Sequence, residues 1–336
     1  MSKICIFVSH RIDIVSELID NPLYVPMRCG AVFDDKNPMG ILGDDTGDNI
    51  SERRMSFCEF TVQYWAWKNC DADYYGLCHY RRYLSFAEKR YKTDEYNMVY
   101  KAGLLPRCKK QFGLLNVEEM RRIIEKYDLV VSEYADVHNI PTPTGKKQTV
   151  WELWEAQDGY FFQKQSSLEL VLDLIDRMAP EYSRSAREYF TGSRHRGFNC
   201  YVMRRALFDR LCRFQFPIML EIERRLDMTG YTQTMLRTPA YIGEILYGVF
   251  VYHITVHEQW KVHEVQLVYF SNTERIRGKG DLIKRILWFW FDKGLRTIAD
   301  PIFPKGSQRR EKIKDIFYRI TPAKRRGPAN IKQKNS

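Results

Sequence analysis

Short apolar segments that suit β-strands alternate with helical segments along most of this chain. Each apolar segment ends in polar or turn-forming residues, and residues at helical spacing separate one from the next. The segments lie at residues 4–8, 74–78, 128–133, 197–205 and 265–270. Because such alternation builds a parallel sheet with helices on its faces, the sequence predicts an α/β fold with a mostly parallel, mixed sheet flanked by helices.

Two helical segments carry boundary signals. A Gly/Asp-rich loop at 41–51 precedes apolar residues at helical spacing, which predicts a helix that begins near Asn49 to Ser51 and runs through Lys68. A longer helical segment at 206–226 contains Pro217. We expect a break there, because proline lacks the backbone N–H of a helix interior.

The composition narrows the class of protein. With 44% hydrophobic and 14% aromatic residues, the 336-residue chain can bury a core, which excludes disorder throughout. Apolar runs such as 286–291 are far shorter than the roughly 20 residues that cross a bilayer, and the apolar stretch within residues 1–13 is too short for an export signal. Eight cysteines without a CxxC pair predict reduced core thiols in a cytoplasmic protein.

The net charge is concentrated at one end of the chain. Residues 271–336 contain 18 Lys and Arg against 6 Asp and Glu, so they carry all of the net charge of +11. Residues 1–270 are electrically balanced. This asymmetry predicts two parts, a folded domain over 1–270 and a basic tail over 271–336 that finds an anionic surface. An enzyme that acts on nucleic acid would spread its basic charge over the body, so no nucleic-acid partner is expected.

Four polar clusters lie where predicted strands meet loops. Ligands of open α/β sheets bind beyond the carboxyl ends of the strands, so these clusters are the places to look for chemistry. They are Ser9 to Arg11, Asp44 to Ser51, His79 to Arg82, and the loop before Phe198.

The turn with His79, Arg81 and Arg82 is basic. Adjacent arginines on an extended chain point to opposite sides, so one could bind a phosphate while the other pairs with Asp48 or Glu59. Both arginines could instead form structural ion pairs. Since the chain has no Walker or GxGxxG sequence, side chains would have to hold any nucleotide.

Two groups of aspartates could hold a metal ion. Asp44, Asp45 and Asp48 offer the oxygen ligands that hard cations prefer, but they also suit an ordinary turn. Asp71 and Asp73 form a DxD pair that precedes its strand. We expect that pair at the wrong end of the sheet for a metal–diphosphate site, so the metal ligands stay unknown.

Glu244 lies in an otherwise apolar helical segment. Its carboxyl group is either at the solvent-facing side of the helix or in a pocket, where desolvation would raise its pKa toward that of a general base. Glu244 is therefore the candidate catalytic base.

Three segments resemble a bacterial family found in capsule, O-antigen and exopolysaccharide gene clusters, formerly described as a domain of unknown function. They are GDNISERRMSFCEFTVQYWAWKN, DYYGLCHYRRYL and GFNCYVMRRALFD, and the resemblance spans roughly residues 3–270. Members resemble glycosyltransferases of the GT-A type, some of which transfer galactofuranose or another galactosyl unit from a UDP donor. The resemblance thus implies a GT-A-like sheet and a UDP-sugar substrate.

The resemblance also implies roles for individual residues. Arg81 and Arg82 would act in catalysis by neutralising the departing UDP, because HYR at 79–81 replaces the metal-binding DxD of related enzymes; this leaves a manganese requirement open. Glu244 would deprotonate the acceptor hydroxyl, with inversion at the anomeric carbon. The residues assigned to the donor are Ser9, His10 and Arg11 beside the uridine, Asp48, Asn49, Ser51 and His79 along the donor site, and Asn199 facing the sugar.

The basic tail contains two amphipathic stretches. The first, from Asp281, places Leu282, Ile286, Phe289 and Trp290 on one side, and the second is QRREKIKDIFYRI at 308–320. Aromatic residues beside Lys and Arg suit the interface of an anionic bilayer. Docking of both helices on the body is the alternative.

Together these features predict a glycosyltransferase that moves a hexose, with galactose or galactofuranose favoured, from UDP to an undecaprenyl-diphosphate-linked glycan. We expect it in the cytoplasm, peripheral to the inner face of the membrane. The alternatives are another enzyme of nucleotide-sugar or nucleotidyl transfer, and a noncatalytic adaptor whose basic tail binds membrane or RNA. The sequence leaves open the donor sugar, the acceptor, the linkage and the oligomeric state.

Overall fold

The computed structural model describes residues 1–142, 144–157, 164–232 and 234–302. The second amphipathic stretch predicted at 308–320 lies outside them. The strands are β1 (Ile4–Arg11), β2 (Tyr24–Cys29), β3 (Leu42–Gly43), β4 (Tyr74–His79), β5 (Arg82–Leu84), β6 (Met98–Gly103), β7 (Leu129–Ser132), β8 (Ala135–Asp136), β9 (Arg194–His195), β10 (Tyr201–Arg204), β11 (Val262–Val265) and β12 (Leu267–Asn272). The helices are α1 (Arg54–Phe57), α2 (Phe60–Asn69), α3 (Pro106–Gln111), α4 (Val117–Lys126), α5 (Val150–Glu155), α6 (Lys164–Met178), α7 (Ser183–Thr191), α8 (Arg205–Arg225), α9 (Thr238–Val256) and α10 (Lys279–Ile302).

One mixed sheet forms the centre of the described chain. Its strand order is β11-β7-β10-β4-β1-β2-β3, and β5, β12 and β6 extend it from β4. Most of the pairs are parallel, while β10 runs antiparallel to both β7 and β4. The α/β class with a mostly parallel sheet flanked by helices is therefore confirmed. The division into domains at residue 270 stays a prediction.

Each face of the sheet is covered by its own hydrophobic core. Along β1, Phe7 packs into the core under α2 and α5–α9, while Ile6 and Val8 pack into the core under α3 and α4. In β7, Val131 packs into the core under α2 and α5–α9, and Val130 packs into the core under α3 and α4. Burial of alternate residues on both faces explains why these strands are continuous apolar runs.

The helix predicted from Asn49 to Ser51 onward is interrupted. A 3-10 turn spans Ser51–Arg53, then α1 and α2 are separated at Cys58, whose φ of 48° lies in the left-handed region. No helix continues through that backbone conformation. α2 therefore starts anew after Cys58, with Glu59 at the position that caps its first turn.

The break predicted at Pro217 is wrong, because α8 continues through it from Arg205 to Arg225. Phe216, Ile218 and Met219 around the proline are almost fully buried. Their burial offsets the hydrogen bond that proline cannot donate, since tertiary packing overrides helix propensity.

The basic tail contains α10, which lies against the core under α3 and α4, called here the second core. Leu282 and Phe289 pack into that core. Among the described residues, no helix combines the length and the apolar character needed to cross a bilayer.

Candidate functional site

The carboxyl ends of the parallel strands meet the start of β10 at one edge of the sheet, called here the carboxyl edge. Ser9 at the end of β1 pairs with His79 at the end of β4. Because β10 is antiparallel and its first residue Tyr201 pairs with Leu77, the residues before β10 also reach this edge. The fold thus brings three of the four predicted clusters together, since Asn199 belongs to the loop that leads into β10.

Three guanidinium groups surround His79. Burial lowers the pKa of His79 well below its ordinary value, and the positive charges of Arg82, Arg81 and Arg237 lower it further. The imidazole is therefore neutral at physiological pH. Arg81, Arg82 and Arg237 are called here the arginine cluster.

The arginines are held mainly by aromatic rings. The Arg82 guanidinium carbon lies 4.5 Å from the centre of the Phe198 ring, and its Nε is buried without a hydrogen-bond partner in the described chain. Arg81 lies 5.0 Å from the Tyr80 ring and its Nη1 donates to the Tyr269 hydroxyl at 3.4 Å. Stacking fixes the guanidinium planes and leaves most of their N–H donors free for an anion.

Arg237 joins the cluster from another part of the chain. It immediately precedes α9, and its Nε lies 2.9 Å from the Sγ of Cys58. Its guanidinium carbon lies 5.2 Å from the centre of the Tyr241 ring. Nothing in the sequence around residue 237 marks this position, so sequence reasoning missed it.

Glu244 faces the arginine cluster from α9. The pKa of Glu244 is raised to about 8, mainly by burial and also by the negative charge of Glu59, while the positive charges of Arg82 and Arg237 lower it. Part of the side chain stays accessible to solvent. Within the described residues the carboxyl group has no hydrogen bond or ion pair. A half-hidden, unpaired carboxyl group beside free cations is suited to proton transfer.

Asn199 lies just before β10, next to the Phe198 ring on which Arg82 stacks. It is only 6% exposed, and both its Nδ2 and its Oδ1 lack a hydrogen-bond partner in the described part of the chain. A buried amide without partners is costly, typically 1–3 kcal/mol, so such a group commonly serves a ligand. The Oδ1 of this amide can accept a hydrogen bond from one hydroxyl group of a ligand, and its Nδ2 can donate one to a neighbouring hydroxyl group.

The end of β1 contributes residues that are already engaged. Ser9 and His10 are almost fully buried, and His10 Nδ1 lies 2.7 Å from Ser16 Oγ. Burial lowers the pKa of His10 to about 4, so its imidazole is neutral. The Nε of Arg11 donates to Asp13 at 2.8 Å. Contacts of Ser9, His10 and Arg11 with a uridine stay a prediction.

The loop between β3 and α1 is organised by Asp44. Its buried carboxylate accepts hydrogen bonds from the backbone N–H groups of Gly30 and Ala31, both at 2.9 Å, and from the hydroxyl groups of Ser51 and Thr61. Asp44 and Ser51 are thus held in the scaffold. The hydrogen bonds of Asp44 agree with the interpretation of this segment as an ordinary turn rather than as a metal site.

Asp48 and Asn49 lie beside the last turns of α2. The Tyr64 hydroxyl donates to Asp48 at 3.2 Å, and Asn69 Nδ2 donates to the Asp48 carbonyl at 2.7 Å. Glu59, next to the arginine cluster, precedes the other end of this helix. A donor contact by Asp48 and Asn49 stays a prediction.

The residues at the carboxyl edge do not fit a divalent cation. Asp71 pairs with Arg205, and Asp73 accepts from the backbone N–H of Lys3 at 2.8 Å, at the opposite edge of the sheet. Across residues 1–142, 144–157, 164–232 and 234–302, no three His, Cys, Asp or Glu side chains form a metal-ligand set. The arginine cluster at this edge carries positive charge, which repels a cation.

A cavity of about 300 Å³ lies elsewhere, between α4 and β11. Four of the charged groups that line it are already paired: Arg90 with Glu133, Arg122 and Glu119 with each other, and Glu264 with Arg196. The free donors and acceptors at the carboxyl edge make that edge the better candidate site.

Comparison with known proteins places the chain among relatives. The model of a family described as "Domain of unknown function (DUF4422)" matches residues 3–256. A solved structure, the WbbM bifunctional glycosyltransferase in its apo form, superimposes with a TM-score of 0.72 at 27% sequence identity. The match covers 81% of this chain and 46% of WbbM, so the chain spans about half the length of that protein. Among curated proteins, none matches significantly.

Proposed function

The chain belongs to the DUF4422 family, and we propose that it is a glycosyltransferase that moves a hexosyl unit from a UDP-sugar to a glycan acceptor in surface polysaccharide synthesis. UDP-galactose and UDP-galactofuranose are the favoured donors, on a sheet of the GT-A type. The likeness to a bifunctional glycosyltransferase supports this reaction class.

One observation carries the proposal: the arginine cluster stands beside an unpaired carboxyl group at the carboxyl edge of the sheet. Glycosyl transfer needs both parts, because a diphosphate must depart and a hydroxyl group must lose its proton. Burial strengthens each interaction, since water no longer screens the charges.

The arginine cluster stabilises the leaving group. As the bond between the anomeric carbon and the phosphate oxygen breaks, the electron pair stays on the diphosphate. Arg82 and Arg237 stand close enough to share that charge, and Arg81 adds a third cation. Bidentate guanidinium–phosphate contacts supply orientation as well as charge.

Glu244 deprotonates the acceptor hydroxyl group. The acceptor oxygen forms the new bond to the anomeric carbon and passes its proton to the Glu244 carboxylate, which gives inversion by direct displacement. The free amide of Asn199 holds the donor sugar through its hydroxyl groups. The cations of Arg82 and Arg237 keep part of the Glu244 population ionised near neutral pH.

A donor screen with the full-length protein tests the proposal. We expect UDP release and a glycosylated product from a UDP-hexose. Turnover should be kept in EDTA, because the arginine cluster would neutralise the departing diphosphate and no three metal-ligating side chains come together in the described part of the chain. Release of pyrophosphate instead of UDP would indicate nucleotidyl transfer. Absence of turnover with every nucleotide sugar, together with RNA binding that survives deletion of 271–336, would favour the adaptor.

A further inference from the structure

The apolar face of α10 points away from the protein. Large apolar side chains recur every three or four residues along it, and they are more exposed than buried. Their exposed fractions are 58% for Ile283, 64% for Leu287, 58% for Trp290, 57% for Phe291 and 68% for Ile298. On a helix this spacing forms one continuous stripe. We propose that this outward stripe docks α10 onto the surface of an anionic lipid bilayer.

The opposite face of α10 fixes the orientation of the stripe. Leu282 and Phe289 pack into the second core. Arg285 Nη1 donates to Asn272 Oδ1 at 2.7 Å, and its Nε donates to Asp281 at 3.2 Å. The Arg285–Asp281 contact lies within α10, but a rotation that turned the stripe inward would break the Arg285–Asn272 hydrogen bond and the packing of Leu282 and Phe289. The sequence prediction had placed Leu282 and Phe289 on the membrane side, and the structure assigns them to the body instead.

The charge of the tail decides the occupant. The 34 residues that follow Ile302 carry 11 Lys and Arg against 2 Asp and Glu. Exposed Arg275, Arg277, Lys279 and Lys284 add to this charge at the start of the helix. Anionic headgroups attract such a segment, whereas a second copy of the chain would bring the same positive charge and be repelled. An apolar stripe flanked by cations is typical of helices that lie in the bilayer interface.

The helix begins beside the carboxyl edge. β12 passes Arg82 at Tyr269 and ends at Asn272. Beyond it, the Arg275 N–H donates to the Val15 carbonyl at 2.9 Å, in the segment that follows β1. A bilayer under α10 would therefore present a lipid-linked glycan close to the arginine cluster. This last step, the lipid-linked acceptor, rests on the proposed function; the docking itself does not.

Vesicle flotation of the full-length chain tests the docking. The probes are vesicles of phosphatidylcholine alone and of phosphatidylcholine with phosphatidylglycerol. We expect binding to the anionic vesicles that the double variant Leu287→Ser, Phe291→Ser weakens by about tenfold or more, because two exposed apolar side chains no longer enter the bilayer. The matched control is Met178→Ser, Val256→Ser, which removes two apolar side chains of similar exposure from the body, 45% and 54%. That variant should bind like the unmodified chain.

Three results would overturn the docking. The first is equal binding of the stripe variant and the control variant. The second is equal binding to neutral and anionic vesicles. The third is a stripe variant that changes only the oligomeric state in light scattering, which would assign the stripe to a second copy. Transfer to a water-soluble acceptor separates the two proposals: the stripe variant should keep it, while its absence in the unmodified chain would count against the proposed function alone.

Discussion

Two side chains at the carboxyl edge carry opposite requirements. Arg82 must stay charged, and stacking on Phe198 holds it without neutralising it. Glu244 must be able to give up its proton, although burial favours its neutral form. The two needs are compatible because the positive charge of Arg82 lowers the cost of ionising Glu244.

The substitution Glu244→Gln should lower kcat by about 10²- to 10⁴-fold, because the amide cannot accept the proton of the acceptor. In the unmodified enzyme kcat/KM should rise with pH through about 8 and then level off, since the ionised form is the active one. The folded-state pKa of Glu244 lies above the ordinary value of 4.5, so stability is lost as pH rises from that value through about 8, and at pH 8 and above the variant should melt at a higher temperature than the unmodified chain. Kinetics and thermal melts over a pH series check both effects. A flat profile in the unmodified enzyme would remove Glu244 as the base.

The substitution Arg82→Ala should lower kcat by about 10²- to 10³-fold while the protein stays folded. Arg82→Lys should recover only part of the loss, because an ammonium group cannot form the bidentate contact. Steady-state kinetics with the preferred UDP-sugar measure both variants. Arg213→Ala, which removes an exposed arginine paired with Asp209, is the control. Equal activity of the Arg82 and Arg213 variants would contradict the assignment.

Strand-end reasoning could predict Ser9 and His79 as neighbours, because it needs only the position of each residue relative to its strand. Asn199 precedes its strand and reaches the same edge only because β10 runs antiparallel. Glu244 could be predicted from its apolar surroundings. Arg237 could not, because it belongs to a connection that reaches the site only through the packing of α9 on α1 and α2. The engagement of Ser51 with Asp44 was equally hidden, since it depends on the chain path after β2.

At the scale of elements, α9 approaches its neighbours unusually closely. A side-chain carbon placed on Gly243 would lie 2.4 Å from the Phe60 ring and 2.9 Å from the Met219 methyl group. Gly243 thus allows α9 to pack against α2 and α8, and it directly precedes Glu244. The position of the carboxyl group depends on this close approach.

The substitution Gly243→Ala should destabilise the protein by about 1–3 kcal/mol through overpacking and should lower activity by displacing Glu244. The control is Gly280→Ala in the first turn of α10, where nothing lies within 4 Å. That variant should be as stable as the unmodified chain or slightly more so. Denaturant titrations give both values, and a Gly243 variant of unchanged stability would refute the packing argument.

The interruption at Cys58 shows why element boundaries escaped the sequence. Apolar spacing continues from Phe57 to Trp65 as if one helix ran through, so periodicity alone predicts no break. Residues from elsewhere in the chain contact Cys58, where φ is positive: its carbonyl accepts from Cys29 Sγ at 2.9 Å, and its own Sγ contacts Arg237. Non-local contacts decide such a position.

For the whole molecule, buried neutral histidines contribute to the loss of stability in acid. Burial lowers the pKa of His10 and of His195 to about 4. Between the ordinary value of about 6.5 and 4, the unfolded chain binds protons that the folded chain does not, so stability should fall as pH drops through this range. Thermal melts in a pH series measure the slope.

His195→Gln should flatten that acid slope, although it lowers the melting temperature at every pH. His138→Gln, at a side chain that is 46% exposed, is the control and should leave the slope unchanged. If both variants melted with the slope of the unmodified chain, His195 would have no part in the acid sensitivity.

The fold class was accessible from the sequence because alternation of strands and helices is a local pattern. The strand order was not, because nothing in GFNCYVMRR distinguishes a strand that runs with its neighbours from one that runs against them. The reversed direction of β10 depends on pairing with β4 and β7, which lie far away in the sequence.

That reversed strand has a consequence for how relatives could diverge. The chain leaves β7 and re-enters β10 at the same side of the sheet, and the two strands are hydrogen-bonded neighbours. Residues 133–200 therefore form an insertion whose two attachment points to the sheet are adjacent. Recombination between homologous genes at those two points could exchange residues 133–200 without changing the strand order of the central sheet, and a soluble chimera built at these junctions would demonstrate it.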